Sequence, residues 1–379
     1  MPYKLTGKHA EAVIHASEVE EACETQIKEI LDNEFLAKEK IRIMPDCHAG
    51  NNICIGFTST MSGEWAVPNY IGVDIGCGVA SYPIGEIDIN YKKFDDQVRR
   101  TIPSGWGVSK RFDEDRCKEA WSKITKASMH EFIEEVKELI KRLKLEFRHE
   151  HYVEQSIGTL GGGNHFIAIN ENSAGAKFIT VHTGSRNFGL KIANHFQKKV
   201  GEKGYLSGEL YNEYINAMEL AQRYAEFNRA KILWELTKHF DINFNKNNLI
   251  ESVHNYIDMD AKIMRKGAIS AKESETCIIP INMADGVLLC KGKGNPEWNY
   301  SAPHGAGRVL SRNQSKKNFT MEEYRERMGG VWSSCVNEST LDESPMAYKK
   351  MDYLLSFIGD TVEVIDHWKE IYNFKAAEP

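Results

Sequence analysis

The chain has 379 residues, is 41% hydrophobic and 27% charged, and carries a formal net charge of −6 at pH 7. Its first residues lack the unbroken apolar segment of a secretory signal, and no stretch approaches the roughly 18 apolar residues of a membrane span. We therefore expect a cytoplasmic protein without membrane contact. The acidic balance does not predict a nucleic-acid binder, but it leaves room for a local basic surface.

The order of elements predicts an α+β chain that forms a single unit over residues 1–379, since it contains no repeat, linker or regular βαβ alternation. Apolar residues at helical spacing predict helices over 12–33 and 131–145, and a longer one over 211–236. Short β-like runs predict strands between them, at 53–58, 177–181, 287–290 and around 362–364.

Polar residues stand where several of these runs end. The strand in FITVHTGSRNFG stops at His182 and turns through glycine and serine. The segment GVDIGCG carries Asp74 and Cys77, and GGGNHF carries Asn164 and His165. Strand ends of this kind deliver functional side chains into a site.

Five residues form a candidate metal centre. Thiolate, imidazole and carboxylate together suit a borderline transition ion such as Mn²⁺, Zn²⁺, Co²⁺ or Fe²⁺, and a thiolate can bridge two ions. Taken singly, however, a cysteine is more often a small buried hydrophobe, and a lone histidine is often a satisfied core or surface group. The five are far apart in sequence, so spacing alone favours the structural interpretation. They are Asp74, Cys77, His165, His182 and His254.

A second constellation is the segment APHGAGRVLSRNQSKK. If a helix begins at the Gly-Ala-Gly turn, its free N–H groups converge with Arg308, Arg312 and Lys316 on an anion such as a phosphate. A neutral His304 beside that phosphate can attack phosphorus and form a phosphoramidate. The alternative is a glycine turn followed by a solvated basic helix face.

The remaining candidates are weaker. Asp46 and His48 in MPDCHAG are either acid–base or supporting groups, or turn formers. His149 and His151 are expected at an exposed helix end. Eight scattered cysteines without a CxxC pair predict reduced thiols, and three are expected in the core: Cys47, Cys54 and Cys290.

The ordered set of motifs resembles the RtcB family of RNA ligases. In chain order the motifs are MPDCHAG, GVDIGCG, GGGNHF, VHTGSR, VHNY, RKGA, HGAGRVLSR and a lysine in YNFKA. The resemblance runs from about residue 44 to residue 375. It implies one compact α+β fold with mixed sheets around a central metal and nucleotide cleft, and it reverses the preference for structural roles.

The resemblance also implies two Mn²⁺ ions. Asp74, Cys77 and His165 would hold one, and Cys77, His182 and His254 the other. His304 would be the nucleophile that takes GMP from GTP. The nucleotide would be contacted by Asn164, His165, Phe166, His254, Asn255, Asn282, His304, Gly305, Ala306, Gly307 and Lys375, of which Lys375 reaches the base.

The implied reaction joins RNA ends. A 2′,3′-cyclic phosphate is opened to a 3′-phosphate, GMP is moved onto it, and a 5′-hydroxyl attacks and releases GMP. The implied partners are therefore RNA with broken ends and GTP, in RNA repair or tRNA splicing, and an accessory activating protein remains open. Metals would neutralise the triphosphate, and guanylylation would give the 3′-phosphate a good leaving group.

Three positions depart from the family pattern. The family has a glutamate three residues after the histidine of its GNHF motif, where this chain has Ala168. Asn282 and Val287 replace serines associated with nucleotide binding. These changes are typical of a divergent branch with an altered nucleotide pocket. Two alternatives remain: a two-metal phosphodiesterase or cyclic phosphatase without ligation, and an RNA-binding protein without activity.

Overall fold

The computed structural model describes residues 2–202 and 204–376, so residues 1, 203 and 377–379 of the predicted single unit lie outside it. Ten α-helices are found there: α1 Glu21–Leu31, α2 Tyr91–Thr101, α3 Glu114–Ser122, α4 Met129–Leu143, α5 Tyr152–Gln155, α6 Arg186–Gln197, α7 Glu209–Thr237, α8 Arg312–Asn318, α9 Met321–Arg327 and α10 Met351–Ile358.

The same described residues contain seventeen strands. They are β1 Tyr3–Thr6, β2 Glu11–Ile14, β3 Ile41–His48, β4 Ile55–Thr60, β5 Trp65–Ala66, β6 Gly78–Gly85, β7 Phe166–Glu171, β8 Lys177–Thr183, β9 Leu206–Ser207, β10 Ile250–Val253, β11 Asn255–Asp258, β12 Ile263–Lys266, β13 Ala268–Ser270, β14 Thr276–Asn282, β15 Gly286–Gly292, β16 Ser301–Pro303 and β17 Val362–Lys375. The mixture confirms the predicted α+β class.

Two mixed or antiparallel sheets organise the chain. The first has six strands in the order β1-β2-β3-β4-β12-β11, with β2 and β3 parallel. The second has seven strands in the order β10-β6-β8-β7-β17-β15-β14 and is antiparallel throughout. Two further two-stranded sheets, β13-β16 and β5-β9, complete the set.

The seven-stranded sheet curls until its edge strands β10 and β14 meet, where the Ile278 N–H donates to Ser252 Oγ at 3.0 Å. Its inner face encloses a small apolar cluster made by Val79, Ile278, Val287 and Trp368. Four different strands supply these side chains, so the cluster holds the curled sheet together.

The outer face of this sheet packs against the long helix α7. Alternation along β7 and β8 places Ile167, Ile169, Ile179 and Val181 in the main core, which α7 shares through its buried apolar residues. Because α7 is buried over most of its 29 residues, it forms the backbone of the molecule behind the strands that carry the polar motifs.

Most elements agree with the sequence patterns, but the predicted helix over 12–33 was wrong in its first half. Glu11–Ile14 form a strand, and the helix begins only at Glu21. Ala12 and Ile14 are both fully buried and pair in parallel with β3, and this short two-residue alternation was hidden inside a longer apolar pattern. No helix in residues 2–202 and 204–376 is long and apolar enough to cross a membrane.

Candidate active site

The register of the curled sheet brings four of the predicted ligands to one end of their strands. Val253 pairs with Gly78, Val79 with His182, and His182 with Phe166. Cys77, His165 and His254 each adjoin one of these paired residues in sequence. Antiparallel pairing thus places residues that lie far apart in sequence on one rim of the sheet.

Cys77, His165 and His182 form a buried group that could hold a metal ion. The Cys77 Sγ lies 3.5 Å from Nε2 of His165 and 3.4 Å from Nε2 of His182. One sulfur and two imidazole nitrogens aimed at a common point are the ligand set of a transition-metal site. Burial, followed by the nearby Asp74, holds the pKa of the Cys77 thiol well above its usual range, a preference that a bound cation reverses.

Backbone carbonyls fix the orientation of two histidine rings. His165 directs Nδ1 to the carbonyl of Leu160 at 2.9 Å, and His182 directs Nδ1 to the carbonyl of Asn164 at 3.2 Å. Each Nδ1 therefore donates, which leaves the Nε2 lone pair of each ring for the shared point. This arrangement around ligating histidines is common in metal sites.

Asp74 joins the group through His165, whose Nε2 lies 3.1 Å from Asp74 Oδ2. The Ser185 N–H donates to Asp74 Oδ1 at 3.0 Å. Burial alone would raise the pKa of Asp74, but the His165 interaction outweighs it and lowers the pKa to about 2. Glycine is required at 184, because a Cβ there would lie 2.3 Å from the Asp74 carboxylate.

His254 and His304 extend the cluster. The His254 ring lies 5.2 Å from that of His182 and 4.8 Å from that of His304, between centroids. Burial, then the neighbouring histidines, lower the pKa values of His182 and His254 well below the usual range. Both rings are therefore neutral at physiological pH, which is the form that binds metals. The buried Nδ1 of His254 has no hydrogen-bond partner within the described ranges.

Asp46 holds His304, although the sequence marked it only as a weak candidate. Its Oδ2 accepts hydrogen bonds from His304 Nδ1 at 2.6 Å and from the His304 backbone N–H at 3.1 Å. Asp46 is fully buried at the end of β3. Gly307 has a positive φ of 76° and packs so closely that a Cβ would lie 2.1 Å from the Asp46 carbonyl. The two motifs MPDCHAG and HGAG therefore form one unit.

The predicted phosphate-binding helix after the Gly-Ala-Gly turn was wrong in its start and its charges. Helix α8 begins at Arg312 with Ser311 as its N-cap, because Ser311 and Gln314 form a capping box. Arg308 lies before it. Arg308 and Arg312 form ion pairs with the buried Glu343, and Arg312 and Lys316 with the buried Asp342. Carboxylates of the protein take the place expected for a phosphate.

Glu343 also accepts from Lys375 Nζ at 2.7 Å and from the Tyr348 hydroxyl at 2.6 Å. Burial would raise the pKa of Glu343, but Lys375 and the two arginines lower it to about 2. We call Glu343, Arg308, Arg312, Lys375 and Tyr348 the Glu343 cluster. No sequence motif had marked this glutamate.

The other residues predicted to contact a nucleotide lie around the histidines. Phe166 is partly exposed, with its ring 5.5 Å from that of His182 and 5.9 Å from Lys375 Nζ. Asn164 is exposed. Asn255 bridges the Asp74 carbonyl and the Gly267 N–H. Gly305, Ala306 and Gly307 follow His304 directly.

Asn282 differs from the other residues predicted to contact a nucleotide, because its side chain is bonded within its own turn. Its side-chain oxygen accepts from the backbone N–H groups of Ala284 and Asp285, and its amide donates to the Asp285 carboxylate. The side chain therefore shapes the β14–β15 turn. A nucleotide contact from Asn282 stays a prediction, and it would have to break or share these bonds.

Arg229 was missed by the sequence patterns. This fully buried side chain of α7 donates to the carbonyls of Gly76 and Thr183, at 2.6 and 2.9 Å, and pairs with Glu251. It thereby fastens the residues next to Cys77 and His182 to the long helix. The available signal was an arginine within the otherwise apolar helical run FNRAKILWEL.

Three buried cysteines are placed as predicted in apolar surroundings. Cys47, Cys54 and Cys290 are at most 3% exposed, and all eight cysteines are free thiols. His149 and His151 are exposed near the start of α5, which agrees with the expected helix end.

Comparison with known proteins identifies the relatives of this arrangement. The family model described as tRNA-splicing ligase RtcB matches residues 26–376. The chain belongs to the RtcB family. It is 29% identical over 376 aligned residues to the RNA-splicing ligase RtcB of Escherichia coli K12, covering 88% of the chain and 90% of that relative. The tRNA-splicing ligase RtcB of Aeropyrum pernix is 25% identical, with 82% of each chain covered. The resemblance that the ordered motifs indicated is confirmed.

Proposed function

We propose that this RtcB-family chain is an RNA ligase that joins a 2′,3′-cyclic phosphate or 3′-phosphate end to a 5′-hydroxyl end, using GTP and two Mn²⁺ ions. The observation that carries the proposal is the pair formed by His304 and Asp46. This pair lies beside Cys77, His165 and His182, which we call the Cys77 group. A nucleophile held by a buried carboxylate adjoins a ligand set for metal ions. The RNA-ligase names of the relatives agree with it.

The metal ions fit the residues present. Asp74, Cys77 and His165 would hold one, and Cys77, His182 and His254 the second, with the sulfur shared. Neutral imidazoles, a carboxylate of low pKa and a buried sulfur provide both hard and soft ligands. When bound, the ions supply Lewis-acid neutralisation of phosphate charge.

His304 is the proposed nucleophile. Its Nδ1 proton is held by Asp46, which leaves the Nε2 lone pair for attack; within the described residues Nε2 has no hydrogen-bond partner. Attack of Nε2 on the α-phosphorus of GTP forms an N–P bond and expels pyrophosphate. The positive charge that then spreads over the ring is stabilised by the Asp46 carboxylate, as in other histidine–carboxylate pairs.

The later steps follow from the same site. The RNA 3′-phosphate attacks the histidine-bound phosphorus, which returns His304 to its free form and leaves GMP on the RNA end. Attack of the 5′-hydroxyl on the 3′-phosphate then closes the phosphodiester and releases GMP. Phe166 and Lys375 are the proposed contacts to the base, with Asn164, Asn255 and the turn after His304 around the phosphates and sugar.

The test is incubation with Mn²⁺ and α-labelled GTP, followed by mass measurement of the protein. The wild type should gain an acid-labile, alkali-stable GMP adduct, as expected for a phosphoramidate. The His304→Ala variant should gain none while it still binds Mn²⁺. An adduct that persists in this variant, or that maps to a lysine, contradicts the assignment of the nucleophile.

RNA ends separate the ligase from the hydrolase alternative. The wild type should join 3′-phosphate to 5′-hydroxyl ends and leave 3′-hydroxyl and 5′-phosphate ends apart. If cyclic phosphates are opened without an adduct or joining, the protein is a two-metal phosphodiesterase instead. Efficient sealing of 3′-hydroxyl to 5′-phosphate ends would place it in another ligase class.

A further inference from the structure

The loop between α2 and α3 carries the most exposed large hydrophobic side chain among the described residues. Trp106 is 58% exposed, whereas most other tryptophans of the chain are at most 7% exposed, among them Trp65, Trp121, Trp234 and Trp298. Exposing the apolar surface of a tryptophan to water is unfavourable, so an exposed tryptophan commonly marks a binding surface.

Backbone contacts fix this loop next to the candidate active site. The Gly105 N–H donates to the Gly161 carbonyl at 2.8 Å, and Arg186 Nη2 donates to the Gly105 carbonyl at 3.1 Å. Gly161 lies against His165, since a Cβ on it would be 2.8 Å from His165 Nδ1. The residue before Trp106 is thus bonded to a residue that touches the ring of a proposed metal ligand.

A cation lies against the tryptophan. The Arg148 guanidinium lies 5.7 Å from the ring centre of Trp106 and 5.8 Å from that of Tyr152. The Tyr152 hydroxyl accepts from Asn187, which is in the first turn of α6 beside the site. Trp106 and Arg148 are therefore connected to the active site through Tyr152 and Asn187.

Basic side chains accompany Trp106 in its loop. Residues 103–112, PSGWGVSKRF, contain Lys110 and Arg111 and no acidic residue, and the acidic residues Asp113, Glu114 and Asp115 follow at the start of α3. Lys110, Arg111 and Arg148 are exposed. Aromatic rings combined with basic side chains are the usual platform for unpaired bases of single-stranded nucleic acids, since every base offers a face for stacking and phosphates favour cations.

We propose that Trp106 and Arg148 form a stacking platform for an unpaired base near the end of a single-stranded RNA substrate, and so guide that end to His304. The inference rests on the proposed function for the identity of the strand, and it adds a binding surface outside the metal and nucleotide groups. The indole face stacks on the base, while the guanidinium of Arg148 interacts with the neighbouring phosphate.

The experiment measures binding of a fluorescently labelled, 3′-phosphorylated single-stranded RNA by anisotropy. Trp106→Ala should weaken binding between about fivefold and about 100-fold, the range for loss of one base–aromatic stack. Trp106→Phe, which keeps a ring, should lose clearly less. Ile365→Ala is the matched control: this side chain is 52% exposed on β17, ten residues and roughly 30 Å along the strand from Lys375, and should bind like the wild type.

A second measurement reports stacking itself. RNA should quench the fluorescence of Trp106 and shield it from iodide, and that change should vanish in Trp106→Phe. Adduct formation on His304 without RNA and the circular dichroism spectrum are measured in the same preparations, and the spectrum reports whether each variant is folded even if no adduct forms.

The outcomes separate the platform from the proposed function. Unchanged RNA affinity in Trp106→Ala overturns the platform, and so does an equal loss in Trp106→Phe or a loss of the adduct together with RNA binding. Equally weakened binding of a blunt duplex also overturns it, because a stacked base must be unpaired. Failure of the wild type to form any adduct, with RNA affinity still dependent on Trp106, refutes the ligase mechanism and leaves the platform intact.

Discussion

The Cys77 group and the Glu343 cluster are both buried and polar, but they differ in how their groups are satisfied. In the Glu343 cluster one carboxylate accepts from two arginines, a lysine and a tyrosine. The Cys77 group contains a thiol and two imidazoles of which no member is a permanent cation. In the first cluster the buried carboxylate is surrounded by cations of the chain, whereas in the second a sulfur and two imidazole nitrogens face a shared point.

This difference separates a structural site from a candidate functional one. Buried polar groups cost free energy unless they are paired. The Glu343 cluster meets that demand with residues of the chain, so its contribution is to hold α8 and the end of β17 in place. In the Cys77 group the sulfur and two Nε2 atoms share one point, where a cation could be bound, which is why we propose it as the metal site.

The largest expected effect on activity comes from changing Asp46, the carboxylate that holds the proposed nucleophile His304. Asp46→Asn keeps the size of the side chain but removes the charge that stabilises a positive His304 ring. We expect the rate of adduct formation from α-labelled GTP to fall by about three to four orders of magnitude, as in other histidine–carboxylate pairs. Mn²⁺ binding, measured by titration in parallel, should remain. A rate within tenfold of the wild type would show that the charge of Asp46 does not contribute to adduct formation.

For the Glu343 cluster we expect a substitution to change stability and not activity. Glu343→Gln leaves Lys375 and Arg308 without their buried carboxylate and should lower the free energy of unfolding by about 3–5 kcal/mol at pH 7. The pKa of Glu343 in the folded chain is lowered to about 2. Its stabilisation is therefore present above the unfolded pKa near 4.5 and is lost as the pH falls toward 2. The gap between wild type and variant in urea unfolding should shrink below pH 4.5.

Glu370→Gln is the matched control, because it changes another buried glutamate with the opposite pKa shift. Burial raises the pKa of Glu370 to about 8, although Asn373 and Asn170 donate to it. A raised pKa gives stability that is present below the unfolded pKa and is lost as the pH rises toward 8. The free energy of unfolding of the wild type should decrease relative to that of Glu370→Gln as the pH rises from 5 to 8. Parallel pH profiles for the two variants would contradict this comparison.

The Cys77 group could be predicted from the sequence better than the Glu343 cluster, and the reason is physical. Cys77, His182 and His304 stand in glycine-rich motifs whose order is typical of the family, so chemistry left a local signature. Glu343 and Arg229 act through partners more than 30 residues away or on different elements, and a single charged residue has no periodicity. The helix start at Arg312 depended on a capping box that outweighed the glycine turn.

A smaller effect is expected from the shared sulfur. Cys77→Ala removes the one atom proposed to contact both ions, so affinity for each Mn²⁺ should fall by at least the roughly 10–100-fold that loss of a supporting group costs. Cys290→Ala is the matched control, since this thiol is fully buried in an apolar cluster that contains none of the five proposed metal ligands. Isothermal titration measures both. Two undiminished binding events in Cys77→Ala would exclude a bridging sulfur.

The smallest expected effect concerns the base, where the chain departs from its family. Ala168 is fully buried on β7, between Thr180 and Asn373 on the neighbouring strands, and shares a face with Phe166. It offers no acceptor for the N1–H and N2 amino group of guanine. Because Lys375 is paired with Glu343, that lysine is also partly committed. We therefore predict that GTP is used but is less strongly preferred over ATP than in relatives that carry the glutamate.

Restoring the carboxylate tests this prediction. In Ala168→Glu the new side chain lies diagonally across from Lys375, which pairs directly with Phe166, so the two can form an ion pair at the edge of the base pocket. A charge-assisted hydrogen bond contributes about 1.5–3 kcal/mol, so the preference for GTP should rise by about one to two orders of magnitude. Ala168→Gln, which adds the same volume without charge, should gain less. The measurement is adduct formation on His304 with each of the four nucleoside triphosphates. Strict GTP dependence in the wild type, unaltered in Ala168→Glu, would mean that other contacts select guanine, and Lys375 with its Glu343 partner would then be the next residues to change.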